Sequence, residues 1–223
     1  MWWYRALHAR LIAALAPVSG PAAGPVLDAG CGTGGFLARL AAARPDLPLF
    51  GLEYDAFAAA RAAAKSGAAV ARGSVNALPF ADASFAAVVS ADVLCHAAVE
   101  PGIALAEARR VLRPGGLLVV NMPAYRWLLS AHDARVRNAR RQNRAEVAAM
   151  LAAAGFTAIR ARYWNGLLLP LMIATRKLGR ADAASDVAAF PPWLDATLHA
   201  VTRIERPLPL PAGGSVLATA RRV

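Results

Sequence analysis

The stretch VLDAGCGTGGF, Val26 to Phe36, decides the fold. Four residues of strand character run into glycines at 30, 32, 34 and 35, and an apolar, alanine-rich stretch of helical character follows. Glycine at such a turn lets backbone approach a ligand closely, and the start of the following helix offers it unpaired N–H groups. By spacing, Gly30, Gly32 and Gly35 satisfy the dinucleotide fingerprint, and Glu53 stands 18 residues after Gly35, where a ribose-binding acid belongs. A nicotinamide site is therefore one reading of the turn. A Walker phosphate loop is not, because no Gly-Lys-Ser/Thr follows.

Outward from this turn, short apolar runs alternate with helical stretches, the pattern of an α/β fold whose parallel sheet is covered by helices. Strands are predicted at Val26 to Ala29, Leu49 to Glu53, Ala69 to Arg72, Phe85 to Ser90, Leu117 to Asn121, Phe156 to Tyr163 and Ser215 to Arg221. Asp55 caps a helix that Gly67 ends, Pro101 sits in a first turn, and Pro114-Gly115-Gly116 stops that helix. Met122 to Gln142 is arginine-rich and has neither helical nor strand period. Asn143 with Glu146 makes a capping-box variant for a helix that Gly155 stops. Further helical stretches are predicted from about Gly166 to Leu178 and from about Trp193 to Arg206, around a Pro/Ala/Asp loop. The expected organisation is one domain over 1–223, with an N-terminal helix in 1–24, a core in 25–123 and insertions at 124–142 and 164–212.

At 57% hydrophobic and 17% charged the chain is not of the disordered class, although its 56 alanines keep the apolar area per residue modest. The net charge is +11, and only Lys65 and Lys177 of the 25 basic residues are lysines. Residues 1–100 balance seven basic against seven acidic side chains, and 181–223 four against four, whereas 101–180 hold 14 basic and three acidic. The excess is therefore local and points to an anionic acceptor or surface. Nucleic acid ranks behind that reading, since lysine is nearly absent and no basic-aromatic platform is visible.

Cys31 and Cys95 make no disulfide framework and have no metal-ligand spacing with the histidines, so no metal is expected and a reducing, cytoplasmic compartment is the default. The start, MWWYRALHARLIAALAP, reads as an amphipathic first helix, because its apolar run from Leu11 is shorter than the roughly 7 to 15 residues of a secretory core. GLLLPLMIA, Gly166 to Ala174, falls short of the roughly 20 residues that span a bilayer. No transmembrane segment is expected, peripheral contact with a membrane stays open, and nothing in the sequence sets an oligomeric state.

Four motifs in register then resemble the class I methyltransferases that use S-adenosylmethionine. They are Asp28-Ala29-Gly30-Cys31-Gly32-Thr33-Gly34, with an acid two before the first glycine; Glu53 in FGLEYD; GSVNALPFADASFAAVVSADVLCHA, Gly73 to Ala97; and EARRVLRPGGLLVVNMP, Glu107 to Pro123. The resemblance implies a Rossmann-like sheet of seven mostly parallel strands, helices on both faces, the last strand antiparallel. It implies that Asp28, Ala29 and the backbone of Gly30, Gly32 and Gly34 hold the methionine part of the cofactor. Glu53 would take the ribose hydroxyls and Tyr54 would line the adenine. Ser74, Val75 and Asn76 would sit at the adenine edge, and Ser90 and Ala91 at the sulfonium end. The chain departs from the pattern at Ser74, where an aspartate is common, and at Ala86, where Phe-Asp is usual.

A narrower bacterial subgroup is similar in a Trp-Trp-aromatic start, here Trp2-Trp3-Tyr4, and in a segment kept here as Trp127, Ser130, His132, Asp133, Arg140 and Arg141, with Asn138, Gln142 and Asn143 replacing histidine, tyrosine and threonine. That resemblance implies a small-molecule or lipid- or sugar-linked acceptor. His132 with Asp133, and His96, are the candidate catalytic residues, each placed to take a proton. Tyr125, Arg140 and Arg141 are the candidate acceptor contacts, arginine forks suiting phosphate or carboxylate. The expected activity is methyl transfer to O, N or C of such an acceptor. A degenerate S-adenosylmethionine-binding protein and an RNA methyltransferase are the alternatives.

Overall fold

The computed structural model describes residues 1–18, 24–178 and 190–223. Strands β1 (Val26–Ala29), β2 (Leu49–Glu53), β3 (Ala69–Arg72), β4 (Phe85–Ala91), β5 (Leu112–Pro123), β6 (Phe156–Trp164) and β7 (Ser215–Arg222) form one sheet in the order β3-β2-β1-β4-β5-β7-β6. The first five pair in parallel, and β7 lies antiparallel between β5 and β6. This is the seven-stranded, mostly parallel α/β sheet expected from the sequence.

The fifth strand begins five residues earlier than expected. Phe85 pairs with Leu112 and Ala87 with Leu117, so the Pro114-Gly115-Gly116 turn is an excursion inside a bulged strand, made by Gly115 at φ +74°. Helix α4 (Pro101–Val111) has already ended before that turn.

Helices α1 (Trp2–Ala14) and α2 (Gly35–Ala43) cover one face of the sheet through Leu7, Leu11, Phe36 and Leu40. Helix α3 (Ala56–Ser66), capped by Asp55 and ended by Gly67 in the left-handed region, packs Ala62 beside Leu37 of α2. The other face carries α4 and α6 (Arg144–Ala153), through Leu105, Val111, Val147 and Leu151. Asn143 and Glu146 form the reciprocal capping box that opens α6. Between β5 and α6 lie a 3-10 turn at Arg126–Leu128 and the short α5 (Ala131–Arg135). Helices α7 (Leu169–Leu178) and α8 (Pro192–Ile204) follow β6; the Pro/Ala/Asp loop expected between them lies largely outside the described residues.

The first helix is not cleanly amphipathic, because its inner side buries His8 and Arg10 along with Ala6, Leu7 and Leu11. Arg10 reaches Glu205 Oε1 at 2.9 Å and the Thr202 carbonyl at 2.7 Å, and it lies 4.6 Å over the Trp164 ring. Glu205 also accepts the amides of Asn165 (2.5 Å), Gly166 (2.9 Å) and Leu167 (3.2 Å). One buried carboxylate therefore ties α1 and α8 to the turn after β6. Trp3 completes the joint by stacking on Trp164 at 4.5 Å.

The chain leaves β1 toward β2 and β3 on one side and returns at β4 on the other, so the sheet has its switch point between β1 and β4. Ligands of open α/β sheets sit outside the carboxyl ends of the strands at that point. The same edge carries Gly30, Ser90 to Asp92, Asn121 to Pro123, and Trp164.

Candidate active site

Asp28 stands in the middle of β1, paired between Gly51 of β2 and Val89 of β4, and is 2% exposed. Its Oδ2 has no hydrogen-bond partner. Burial first and the Glu53 carboxylate second push its pKa up from 3.8 to about 7. An unpartnered carboxyl on an interior strand is costly to keep unless something else satisfies it.

The turn that follows is shaped around this carboxyl. Gly30 has φ +91°, and a Cβ there would lie 2.4 Å from Val93 Cγ2, so only glycine lets the turn close against the loop after β4. Gly34 has φ +76°, and its Cβ would lie 2.6 Å from the Ala62 Cα, which is how α2 packs onto α3. Helix α2 opens with no side-chain cap, leaving first-turn N–H groups for a ligand. The Gly32 amide donates to Glu53 Oε2 at 2.8 Å, and the Asp55 amide to Glu53 Oε1 at 3.0 Å. A carboxylate has about four acceptor sites, so Glu53 can still take hydroxyl donors. Tyr54, beside it, is 75% exposed.

Ser74 and Val75 are half-buried, and the Ser74 hydroxyl accepts the Asn76 amide at 3.2 Å. The Asn76 side chain is otherwise engaged: its Nδ2 donates to the Ala98 carbonyl (3.2 Å), and its Oδ1 accepts the Glu100 amide (3.1 Å). It fastens the loop after β3 to the loop after β4, which leaves the Asn76 amide group engaged within the protein. Ala29 and Ser90 are buried at the switch point, with Ala91 half-buried beside Ser90.

After β5 the structure separates the expected residues. Asp133 is 1% exposed and has a full set of donors. Arg141 reaches its Oδ1 at 2.8 Å and 3.0 Å, Arg176 its Oδ2 at 2.8 Å, and the Ser130 amide and hydroxyl complete the set. Burial raises the Asp133 pKa, but the two guanidinium groups outweigh it and hold the carboxyl below its ordinary value. Arg141, itself buried, also donates to the Ala124 carbonyl. This pair folds the segment after β5 onto itself, and it places Asp133 and Arg141, expected as a catalytic residue and an acceptor contact, in a buried ion pair.

Arg140 donates to the His96 carbonyl at 2.6 Å, and the Ala139 and Arg140 amides donate to the Cys95 carbonyl. His96 and Asn138 form an isolated bridge, so the two histidine-bearing loops lie against each other. His96 and His132 are both half-buried. Tyr125, at φ +60°, stacks on Tyr163 at 5.5 Å, and burial with the neighbouring Tyr163 raises its pKa to about 12. Among the described residues no three His, Cys, Asp or Glu side chains are grouped to hold a metal.

One residue escaped the sequence reading. Asp92 follows β4 directly at φ +56°, a sparsely populated conformation for a non-glycine residue. Asn121 Nδ2 donates to its Oδ1 at 2.8 Å, and Trp164 Nε1 donates to Asn121 Oδ1 at 2.8 Å, which fixes the carboxyl's direction. Among the described residues no hydrogen bond reaches Asp92 Oδ2. Burial pushes its pKa up from 3.8 to about 6, against the Asn121 hydrogen bond and the Arg141 charge. The only sequence signal was an acid just past a strand end at the switch point.

The strand order, the glycine turn at the switch point and the acid closing β2 define the Rossmann-like fold of the class I, S-adenosylmethionine-dependent methyltransferases. Residues 27–120 match the model of the methyltransferase domain family. An uncharacterized protein of Mycobacterium tuberculosis is 35% identical over 175 residues, 72% of this chain and 58% of its own length. The 24-methylenesterol C-methyltransferase 2 of Oryza sativa subsp. japonica is 34% identical over 113 residues, 48% of this chain and 30% of that one. The chain thus spans between about a third and three fifths of these two relatives. Geranyl diphosphate C-methyltransferase from Streptomyces coelicolor A3(2) shares the fold, with a TM-score of 0.62 at 17% identity over 98% of this chain and 77% of that one.

Proposed function

We propose that the protein transfers a methyl group from S-adenosylmethionine to O, N or C of a small-molecule or lipid- or sugar-linked, anionic acceptor. The observation that carries this reading is the buried, unpartnered Asp28 carboxyl beside a glycine turn whose amide is clasped by Glu53. The donor set fits the cofactor: Asp28 with the Gly30 to Gly34 backbone suits an ammonium and carboxylate, Glu53 a pair of hydroxyls, and Ser74 with Val75 an adenine edge. When bound, S-adenosylmethionine supplies an electrophilic methyl group on a sulfonium.

The chain's residues then position and desolvate, which supplies much of the rate in such transfers. An acceptor reaching the carboxyl ends of β4 and β5 meets Asp92, whose free Oδ2 takes the proton of an O–H or N–H nucleophile. His96 follows in the loop after β4, and His132 lies in α5 beyond β5. The Streptomyces relative acts on a diphosphate ester by its name. The basic excess of residues 101–180 suits an anionic acceptor here in the same way.

Calorimetry of the purified protein with S-adenosylmethionine, and separately with NADH, tests the reading. Binding of the former, lost in Asp28→Asn, is expected; binding of NADH alone replaces methyl transfer with the oxidoreductase alternative.

A further inference from the structure

The segment that crosses from β5 to α6 has an unusual surface. Its one acid, Asp133, is turned inward and neutralised by Arg141 and by Arg176 of α7. What remains outside is positive: Arg126, Arg135, Arg137 and Arg144 are all exposed. Among these arginines the segment exposes Trp127 (50%), Leu129 (40%) and Val136 (39%). Helix α7, tied to the segment through Arg176 to the Leu128 carbonyl and Ser130 hydroxyl, adds exposed Leu171, with Leu167 just before it.

We infer that the outer surface of residues 126–144, continued by α7, is a docking surface for an anionic lipid bilayer. Basic side chains interleaved with tryptophan and aliphatic residues are the composition of interfacial segments, in which apolar groups enter the headgroup boundary while arginines meet anionic lipid. Charge complementarity names the occupant's sign. The aliphatic residues favour lipid over nucleic acid, because leucine and valine offer a nucleobase nothing to stack on. Of the rings that could stack, Tyr125 lies against Tyr163 and Trp127, and Tyr163 lies under Arg144 at 5.5 Å. No helix among the described residues is long and apolar enough to cross a membrane, so attachment here is to the surface. The segment follows β5 directly, at the strand edge that carries Asp92, so docking would set that edge toward the bilayer. The docking does not depend on methyl transfer; its consequence for acceptor choice rests on the function proposed above.

Co-sedimentation with vesicles of phosphatidylcholine plus phosphatidylglycerol, against pure phosphatidylcholine, tests the surface. Because the whole chain is basic, the comparison is between two variants of equal charge, Arg126→Gln/Arg135→Gln and Arg160→Gln/Arg162→Gln, the latter on β6. Each arginine near an anionic surface contributes about fivefold in affinity, so the first pair is expected to weaken binding about 25-fold and the β6 pair far less. Trp127→Ala is expected to release protein that stays bound when salt is raised, since its contribution is apolar. Unchanged thermal unfolding of each variant certifies its fold. Equal loss from both arginine pairs, or equal binding to both vesicle types, overturns the inference. So does single-stranded RNA that competes the protein off anionic vesicles and loses its own binding in the first pair. Calorimetry with S-adenosylmethionine on the same samples reports on the cofactor site independently.

Discussion

Asp28→Asn should make the ligand-free protein more stable while abolishing cofactor binding. The carboxyl ionises in the unfolded chain near 3.8 and in the folded protein at about 7, because burial and Glu53 oppose its charge. A group whose folded pKa is raised in this way stays neutral in both states at low pH and costs nothing there. As pH climbs from about 4 to about 7 the unfolded chain loses its proton first, and folding stability falls. At 1.36 kcal/mol per pH unit that loss approaches about 4 kcal/mol above pH 7. Asparagine removes the charge but brings an amide with no partner of its own, at about 1–3 kcal/mol. The net gain expected at pH 8 is therefore about 1–3 kcal/mol, or several degrees in midpoint for a chain of this size. At pH 4 the gain vanishes and the variant is the less stable form.

Urea unfolding at pH 4, 6 and 8 without ligand, for both proteins, measures this slope. Calorimetry with S-adenosylmethionine supplies the other half. Binding of a cationic group to the wild type should strengthen up to tenfold per pH unit below pH 7, and level off above it as Asp28 ionises unaided. A variant less stable than wild type at pH 8, with the same pH slope, would refute the reasoning. So would unimpaired cofactor binding by the variant.

Four further outcomes follow. If Asp92 takes the acceptor's proton, kcat should rise with pH to a plateau above about 6, and Asp92→Asn should lose that limb while its affinity for S-adenosylmethionine is unchanged. Glu205→Gln leaves Arg10 buried without its counter-charge and should cost about 3–5 kcal/mol, read in urea unfolding. Gly34→Ala meets the Ala62 backbone at 2.6 Å with φ +76°, and should cost about 1–3 kcal/mol in the same assay. Asp133→Asn should destabilise as strongly as Arg141→Gln, and the double variant should be milder than the sum of the two, since each partner's cost is mostly the other left unpaired.

What the sequence disclosed was what it settles locally. The bounds of β1, β2 and β3 follow from a few apolar residues flanked by turn chemistry. The caps at Asp55 and at Asn143 with Glu146 are bonds between residues two or three apart. The glycine turn was legible for the same reason, since positive φ and close approach are properties of the glycines themselves. Where partners are remote, the sequence was silent. Arg10 and Glu205 are 195 residues apart and Trp164 and Asn121 43 apart, and nothing near any of them hints at the pairing. Asp92 was missed because its significance lies in a left-handed backbone and a fixed orientation that Asn121 and Trp164 impose from other strands.

The segment after β5 shows how one polar motif supports two readings. Ser130, His132, Asp133, Arg140 and Arg141 cluster in a loop near the expected site, and such clusters invite a catalytic reading. Yet an acid and an arginine eight residues apart in a segment whose sequence has no regular period are equally suited to closing that segment on itself. Asp133 and Arg141 are 1% and 4% exposed, and their hydrogen bonds go to each other, to Arg176, to the Ser130 hydroxyl and to backbone. Asp92 presents the opposite pattern, with one oxygen fixed and the other unclaimed at the edge where β4 ends. A group that must accept a proton needs a free lone pair and an ordinary charge near neutral pH, and of the two carboxylates only Asp92 has both. Its dependence on Asn121 also makes the tryptophan at the end of β6 part of the site at one remove. Trp164→Phe, which keeps the ring stack with Trp3 but removes the indole donor, should therefore leave the fold intact and slow transfer through Asn121.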